Sequence, residues 1–586
     1  MESPKILIFR GEIGKASMIK IPYGISNFGE LRSDGSYYID RTHYISKLEA
    51  PYASKYILFL RPRRFGKSLW ISTLQHYYGV EYKDDFQRLF GDLYIGQNPT
   101  LNANNYLVLR LNFSGIDSDN PHEVEEMFSY KLQQGIIKFF GRYAEKYFPT
   151  LDQDWIYKGG KPANILGRLF SLLETQKLPH KIYVLIDEYD HFANKLLVLS
   201  KQTFLGLVGG NGFVRTFYEA LKEATESIVE RLFITGVSPL TIDSLSSGFN
   251  ISQDYSLSPP FHDMLGFREA EVTDLLERLG FSDQALAGIL SRIRAWYDGY
   301  RFHKNATYGL YNPDMVLYFA SRYLQTYTIP ENLLDTNIAS DYKKIRSIID
   351  LGGDECIEVL EKLVRNEDYP TSLTLKFNLE AGLSTSDIVS LLYYMGLLTM
   401  KGRWGFLPRF GMPNYVIKAL YYSYFLQIIR ERTKLRLQAD EMNKAMVHMA
   451  FHNDFSYFIA LAENIMKNLS NRDSLNFGEK HLQSILFALL YPSPAYSVIT
   501  EYEVGRRYID VFLQRRDDTM DINQFLLELK YLPKSQASQL DKVRKAGIEQ
   551  IQAYASHERF HSEPRLRGYL IVFVGAKAEI VEEVEI

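Results

Sequence analysis

At ~150 residues per domain, 586 residues are enough for about four folding units, and for more than one core. Apolar residues make up 46% of the chain and charged residues 23%, a balance that excludes a disordered polymer. A net charge of -3 leaves no broad basic field but still allows a local one, and a single cysteine, Cys356, excludes a disulfide framework or a cysteine-based zinc site.

In chain order, the first apolar run covers only residues 6–9 before Arg10 and Glu12, too brief for a signal-peptide core. The longest apolar run, 388–400, falls short of the ~20 residues that cross a bilayer. A cytoplasmic protein that does not associate with membranes is expected. Residues 55–60, 106–113, 182–186 and 232–235 are continuous apolar runs, as in parallel strands covered on both faces. Helical stretches such as 68–78 and 123–144 separate them, so the pattern predicts a doubly wound α/β sheet over 1–260. A turn-rich patch at 246–260 closes this unit. A helical middle domain is expected over 261–470, with helices at 269–279 and 387–398. The final 471–586 read as helix 477–491, strands 497–504, 508–513 and 525–529, helix 542–556 and strand 568–574. Tyrosine (42) and phenylalanine (36) are plentiful enough to fill several cores.

The first strand runs into Arg61-Pro62-Arg63-Arg64-Phe65-Gly66-Lys67-Ser68 and then a helix. Gly-Lys-Ser at a helix mouth suits a phosphate-binding loop: backbone N–H groups cradle phosphate, the lysine reaches the β/γ-phosphates, and the serine hydroxyl ligates Mg²⁺. Arg61 stands where the leading glycine of such a loop usually sits. Strand 182–186 ends in Asp187-Glu188, where Asp187 can hold Mg²⁺ through water and Glu188 can orient and deprotonate the attacking water. Strand 232–235 ends in Thr235-Gly236, with Ser238 beyond, placing polar groups near Glu188 and the γ-phosphate. Without nucleotide chemistry, the same features read as a Rossmann-like domain with Ser68 as helix cap and Asp187-Glu188 solvated.

Near the C-terminus, Asp510 precedes Glu528-Leu529-Lys530 by eighteen residues. Glu528 and Lys530 share a strand face, and a hairpin through 514–523 would bring Asp510 beside them. Two carboxylates and a lysine on one face can hold Mg²⁺ and act on a phosphodiester. The same spacing also fits a buried Glu528–Lys530 ion pair or a solvated edge strand. His448 and His452 share a helix face but lack further metal ligands nearby, so an ordinary helix surface is expected. No Gly-x-Ser-x-Gly elbow is present, and the acidic tail 579–585 is expected to be a solvated end.

The strings Ile21-Pro22-Tyr23-Gly24-Ile25, Tyr38-Ile39-Asp40-Arg41-Thr42, RPRRFGKSL and LIDEYD resemble the AAA-ATPase-like family, a bacterial branch of the P-loop ATPases. Trp296-Tyr297-Asp298-Gly299-Tyr300-Arg301-Phe302 and Tyr311-Asn312-Pro313 are similar to a downstream signature of the same family. The resemblance covers roughly 19–400. It implies a P-loop NTPase fold that binds ATP and Mg²⁺ through Arg64, Phe65, Gly66, Lys67, Ser68, Asp187 and Thr235, with Ser68 and Asp187 at the metal and Glu188 catalytic. In these relatives the RPRR lead-in is itself the pattern. The resemblance says less of Arg61, Arg63 and Arg64, whose roles stay open between phosphate contact and capping the domain surface.

Residues 471–574 resemble the PD-(D/E)xK nuclease superfamily, an α/β restriction-endonuclease-like fold. Glu479 matches its helical acidic residue, Gln550 and Tyr554 match its Gln-x-x-x-Tyr helix, and Ile509 replaces its proline before the aspartate. This resemblance implies Asp510, Glu528 and Lys530 as catalytic residues, Glu479, Asp510 and Glu528 as Mg²⁺ ligands, and a nucleic acid as partner, DNA ahead of RNA. Together the two halves imply an ATPase coupled to a Mg²⁺-dependent nuclease. The alternative is a nucleotide-switched sensor whose C-terminal domain binds nucleic acid or protein without cutting, through Arg506, Arg507, Arg515 and Arg516. ATPases of this broad kind often form homo-oligomers completed by a neighbour's arginine, for which Arg231 is the candidate by position.

Overall fold

The computed structural model describes residues 19–116, 118, 120–192, 207, 212–240, 250–330, 333, 348, 356, 358–360, 362–363, 367–377, 382–433, 439–470, 478–491, 493, 495–504, 507–516, 520–561 and 563–586. The run at 6–9, residues 246–249 of the turn-rich patch, and Arg506 lie outside the described residues.

Four of the apolar runs form parallel strands: β1 Tyr56–Leu60, β2 Tyr106–Asn112, β3 Lys181–Asp187 and β4 Val229–Gly236. A fifth strand, β5 Gln253–Asp254, lies within the turn-rich patch. The order is β2-β3-β4-β1-β5, and every neighbouring pair is parallel. Helices cover both faces, so β1 and β3 are buried almost without alternation, which is why they read as unbroken apolar runs. Because the strands are parallel, their C-terminal ends share one edge: Leu60 lies beside Gly236 and Asn112 beside Asp187. Nucleotide sites form at such an edge.

The chain divides into two compact units, Met1–Ile329 with Leu375–Ala381, and Pro330–Thr374 with Gly382–Ile586. The middle stretch 261–470 is therefore shared between them. In the second unit, helices Thr385–Tyr394, Tyr415–Thr433, Ala439–His452 and Ser456–Ser470 make this region mainly helical. A small antiparallel sheet interrupts the helices: β6 Tyr369–Pro370, β7 Thr399–Trp404 and β8 Leu407–Gly411, in the order β6-β8-β7. The helix expected over 387–398 stops at Tyr394, because Gly396 takes a left-handed φ of 77° and β7 begins at Thr399.

The C-terminal domain is helix Glu479–Leu490, strands β9 Tyr496–Val504, β10 Arg507–Arg515 and β11 Gln524–Leu532, helix Leu540–Ala555, then β12 Leu566–Val574 and β13 Lys577–Val584. The sheet order is β13-β12-β11-β10-β9, with β11 and β12 parallel and the other pairs antiparallel. The acidic tail is not a solvated end. It is edge strand β13, with Val584 in the core, Glu582 paired to Arg544 and Glu583 to Arg567. Outward charges on an edge strand oppose pairing with another chain. No helix among the described residues is long and apolar enough to cross a membrane.

Candidate functional site

In the first unit, the residues that follow β1 turn sharply into helix Lys67–Tyr78. Gly66 takes a φ of 88°, a left-handed conformation that glycine adopts without strain. Arg64 (φ 66°) and Glu188 (φ 56°) hold the same conformation with side chains, at a cost of about 1–3 kcal/mol each. Both face the shared sheet edge. Lys67 is buried and donates to the carbonyls of Arg61 (3.0 Å) and Pro62 (2.9 Å). Burial lowers its pKa, against the pull of Glu188, Asp187 and Asp190.

Asp187 is fully buried at the end of β3, where burial raises its carboxyl and the Ser68 hydroxyl lowers it. No donor meets either of its oxygens in hydrogen-bond geometry. A buried carboxylate without donors, beside a serine hydroxyl and a lysine, fits a hard divalent cation such as Mg²⁺. Burial would raise Glu188 too, but His191 Nδ1 at 3.2 Å, together with Lys67 and Arg63, outweighs it and holds the carboxyl at about 2. Thr235 sits at this edge, but its hydroxyl donates to the Phe59 carbonyl at 2.6 Å.

Asp190, a fully buried acid at this edge, belongs to the site as well. Its carboxylate accepts from the Val237 and Ser238 amides and the Ser238 hydroxyl, tying the turn after β3 to the end of β4. Gly236 permits that approach, since a Cβ there would lie 2.2 Å from Asp190 Oδ1. No motif marks this pairing; only the acidic residue two beyond Glu188 hinted at it.

The open choice for Arg61 resolves against both phosphate contact and surface capping. Its guanidinium is 1% exposed and donates to the carbonyls of Leu60, Ser256, Phe261 and His262, between the Phe59 and Phe302 rings. Arg64 pairs with Asp314 at 2.5 Å. The Phe65 ring is buried edge-on against Tyr300 and Phe302, so only its backbone is free to face a phosphate. The downstream signature thus braces the loop: Tyr300 and Phe302 pack beneath it, and Asn312 caps the helix that carries Asp314. Arg231 is unavailable as a finger. It lies near the start of β4, at the edge opposite the loop, buried among Tyr106, Tyr183 and Tyr78.

A cavity of about 260 Å³ opens beside Gly66, Lys67 and Ser68. Ile25, Ile39, Leu265, Phe267 and Leu317 give it apolar walls, and Arg64, Glu188 and Asp314 line its polar side. Such a cavity, apolar with a few placed polar groups, can take a nucleobase next to a phosphate loop. These walls come from distant segments, so no local pattern announced them.

In the C-terminal domain, the β10–β11 register pairs Val511 with Leu527, which sets Asp510 opposite Glu528. Asp510 accepts from the Leu529 amide (2.8 Å) and from Gln483 (3.0 Å), one turn beyond Glu479 on its helix. Lys530 Nζ lies 2.8 Å from Glu528 and 3.8 Å from Glu479. The ion pair that spacing alone allowed is therefore present, inside a wider cluster. Burial, then Glu528, pushes the Asp510 carboxyl up to about 8. Burial raises Glu528 as well, and its carboxylates raise Lys530 against burial.

Glu528 and Glu479 face the Lys530 ammonium, and Asp510 adds a longer-range attraction. Among the described residues, no group of three or more His, Cys, Asp or Glu side chains closes on one point to hold an ion. The buried Glu528 Oε2 nevertheless lacks a hydrogen-bond partner, and an open oxygen on a raised carboxylate beside a second one fits a divalent cation. Tyr554 donates to the Tyr508 carbonyl at 2.8 Å and also touches Glu528 electrostatically, whereas Gln550 Oε1 is buried without a partner. Arg507 and Tyr508 are exposed two to three residues before Asp510. His448 pairs with Asp454 at 3.3 Å on a helix surface.

Residues 22–246 match the sequence model of a predicted AAA-ATPase family, and residues 477–583 match the PD-(D/E)XK nuclease superfamily. An uncharacterized protein in the vnfD 5' region of Azotobacter chroococcum mcd 1 is 27% identical over 317 residues. The match spans 53% of this chain and 53% of that protein, so the chain spans about half the length of the relative it matches.

Proposed function

We propose that the first unit binds and hydrolyses ATP and that the C-terminal domain hydrolyses nucleic-acid phosphodiesters, the two activities being coupled. One observation carries this reading: each domain holds a buried carboxylate oxygen that no donor meets, on Asp187 in the first unit and at Glu528 Oε2 in the C-terminal domain, beside a buried or half-buried lysine. A buried carboxylate oxygen left without a donor is costly as a plain core feature.

At the nucleotide site, the loop amides and Lys67 bind the phosphates, and Ser68 and Asp187 would hold Mg²⁺. Glu188, kept ionised by His191, Lys67 and Arg63, orients the attacking water. At the nuclease site, Asp510 and Glu528 would hold the cation, with Glu479 at the periphery beyond Lys530. Bound Mg²⁺ supplies a lowered water pKa and charge stabilisation on the phosphate. Gln483 and the Leu529 amide orient Asp510, and Lys530 is placed to neutralise charge developing on the phosphodiester.

Full-length protein with Mg²⁺ is expected to cut DNA and to lose cutting in Lys530→Ala. Absence of cutting on both DNA and RNA, with Glu528→Ala unchanged from wild type, overturns the nuclease half. A second reading, binding without cutting, is favoured by the ammonium facing the Glu528 and Glu479 carboxylates. Calorimetry on the full chain separates the two, because the binding-only reading predicts no Mg²⁺ or Mn²⁺ site that Glu528→Gln removes.

A further inference from the structure

The β7–β8 hairpin carries chemistry that neither site uses. Trp404 pairs with Leu407 at its end, leaving Gly405 and Phe406 as a two-residue loop, and Gly405 takes the φ of 61° that such a tight turn demands. Trp404 is 66% exposed and Phe406 88% exposed. The stalk is anchored, with Met400 and Phe410 buried and Phe410 packed edge-on against Tyr393. Two large aromatics are thus held out on a rigid ribbon, where burial alone gives no reason to keep them.

Its charge selects the partner. Residues 401–409 contain Lys401, Arg403 and Arg409 and no acidic residue. Arg409 leans on Asp368 at 3.6 Å, whereas Arg403 is exposed beside Trp404 with no ion-pair partner among the described residues. Aromatic rings and an arginine on a projecting two-stranded ribbon suit a polyanion whose bases can be reached. The major groove of B-form DNA, about 12 Å wide, admits a two-stranded ribbon, and the deep, narrow groove of A-form RNA does not. Single strands are held by grooves lined with successive aromatics rather than by a lone tip.

The hairpin is also tied to the carboxylate cluster within the same unit. Glu367, just before β6, pairs at 2.5 Å with Lys480, the neighbour of Glu479. Beyond β8, helix Tyr415–Thr433 packs on helix Glu479–Leu490: Tyr422 meets Phe487 and Tyr491, and the Tyr491 hydroxyl donates to the Tyr415 carbonyl at 2.9 Å. A duplex gripped at the tip is therefore held by the unit that carries Asp510 and Glu528.

We propose that the β7–β8 hairpin is a docking element for duplex DNA, entering the major groove with Trp404 and Phe406 against base edges and Arg403 on a phosphate. The proposal rests on the nucleic-acid reading of the C-terminal domain but not on its ability to cut. The test measures binding of a fluorescein-labelled DNA duplex to the full chain by anisotropy in EDTA, which prevents cutting. Trp404→Ala and Phe406→Ala should each weaken binding roughly tenfold, Trp404→Phe should restore most of it, and Arg403→Ala should flatten the salt dependence by about one unit of slope. Melting temperature and ATP turnover should stay at wild-type values, since these side chains are exposed and lie outside the nucleotide site.

Wild-type affinity in all three alanine variants, or no duplex binding by wild type, overturns the proposal. An equal loss on single strands or RNA overturns the duplex assignment. Sedimentation showing that the tip only joins two copies of the chain, with DNA binding unchanged in the variants, overturns it too. If wild type cuts nothing yet the tip variants still lose affinity, the nuclease reading fails and the docking assignment stands.

Discussion

Replacing Arg61 with methionine keeps the aliphatic stem and removes the guanidinium, which tests what this arginine is for. Its charge lies 2.7–3.1 Å from four backbone carbonyls and about 4 Å from two aromatic centroids. Hydrogen bonds to a charged group contribute about 1.5–3 kcal/mol each, and buried acceptors left bare cost about 1–3 kcal/mol. If water reaches half of the abandoned carbonyls, the net loss is about 4 kcal/mol. The first unit has roughly 330 residues, so its unfolding entropy is about 0.7 kcal/mol/K and the loss lowers its melting point by about 6 °C. Scanning calorimetry on the full chain reads this directly, the relevant transition being the one that MgATP shifts upward. A melting point within about 1 °C of wild type, together with lost nucleotide affinity, would mean that Arg61 contacts phosphate and that its buried role is wrong.

Lys67→Ala should abolish ATP hydrolysis while leaving the circular dichroism spectrum intact; undiminished turnover contradicts the nucleotide site. Asp510 should make the metal-free domain less stable as pH rises from about 4 to 8, because its folded pKa is raised above that of the unfolded chain, which gives up the proton first. Melts in EDTA across that window should show this slope, and Asp510→Asn should flatten it and raise the melting point near neutrality. Gln483→Ala should weaken Mn²⁺ binding by roughly tenfold, as loss of an orienting partner does, and Gln483→Glu should not rescue it, since it places a further negative charge against Asp510; calorimetry reads both.

The parallel sheet was legible because burial on both faces demands unbroken apolar runs: residues 106–113 became β2 Tyr106–Asn112 almost unchanged. β5 was hidden, since two exposed residues in a turn-rich patch carry no period. β13 was misread because its alternation is masked by glutamates, the residues that protect an edge. Gly66-Lys67-Ser68 and Asp187-Glu188 were legible because each acts as a contiguous string. The burial of Arg61, the bridge from Asp190 to β4 and the cavity walls from Ile25 to Leu317 depend on chain segments up to hundreds of residues apart, which local pattern cannot join. In the C-terminal domain the Asp510, Glu528 and Lys530 grouping followed from strand geometry, whereas Gln483 depends on helix Glu479–Leu490 packing across β11 so that its side chain reaches Asp510.

The proposed function joins an ATP site and a metal-dependent nucleic-acid-cutting site in one chain. The most direct test is cleavage of a labelled DNA duplex by the full-length protein in Mg²⁺, with and without ATP, beside Lys67→Ala and Lys530→Ala. Cutting should change with ATP in wild type, lose its ATP response in Lys67→Ala, and disappear in Lys530→Ala. Cutting that survives Lys530→Ala, or no cutting of DNA or RNA under any nucleotide condition, would contradict the proposed function.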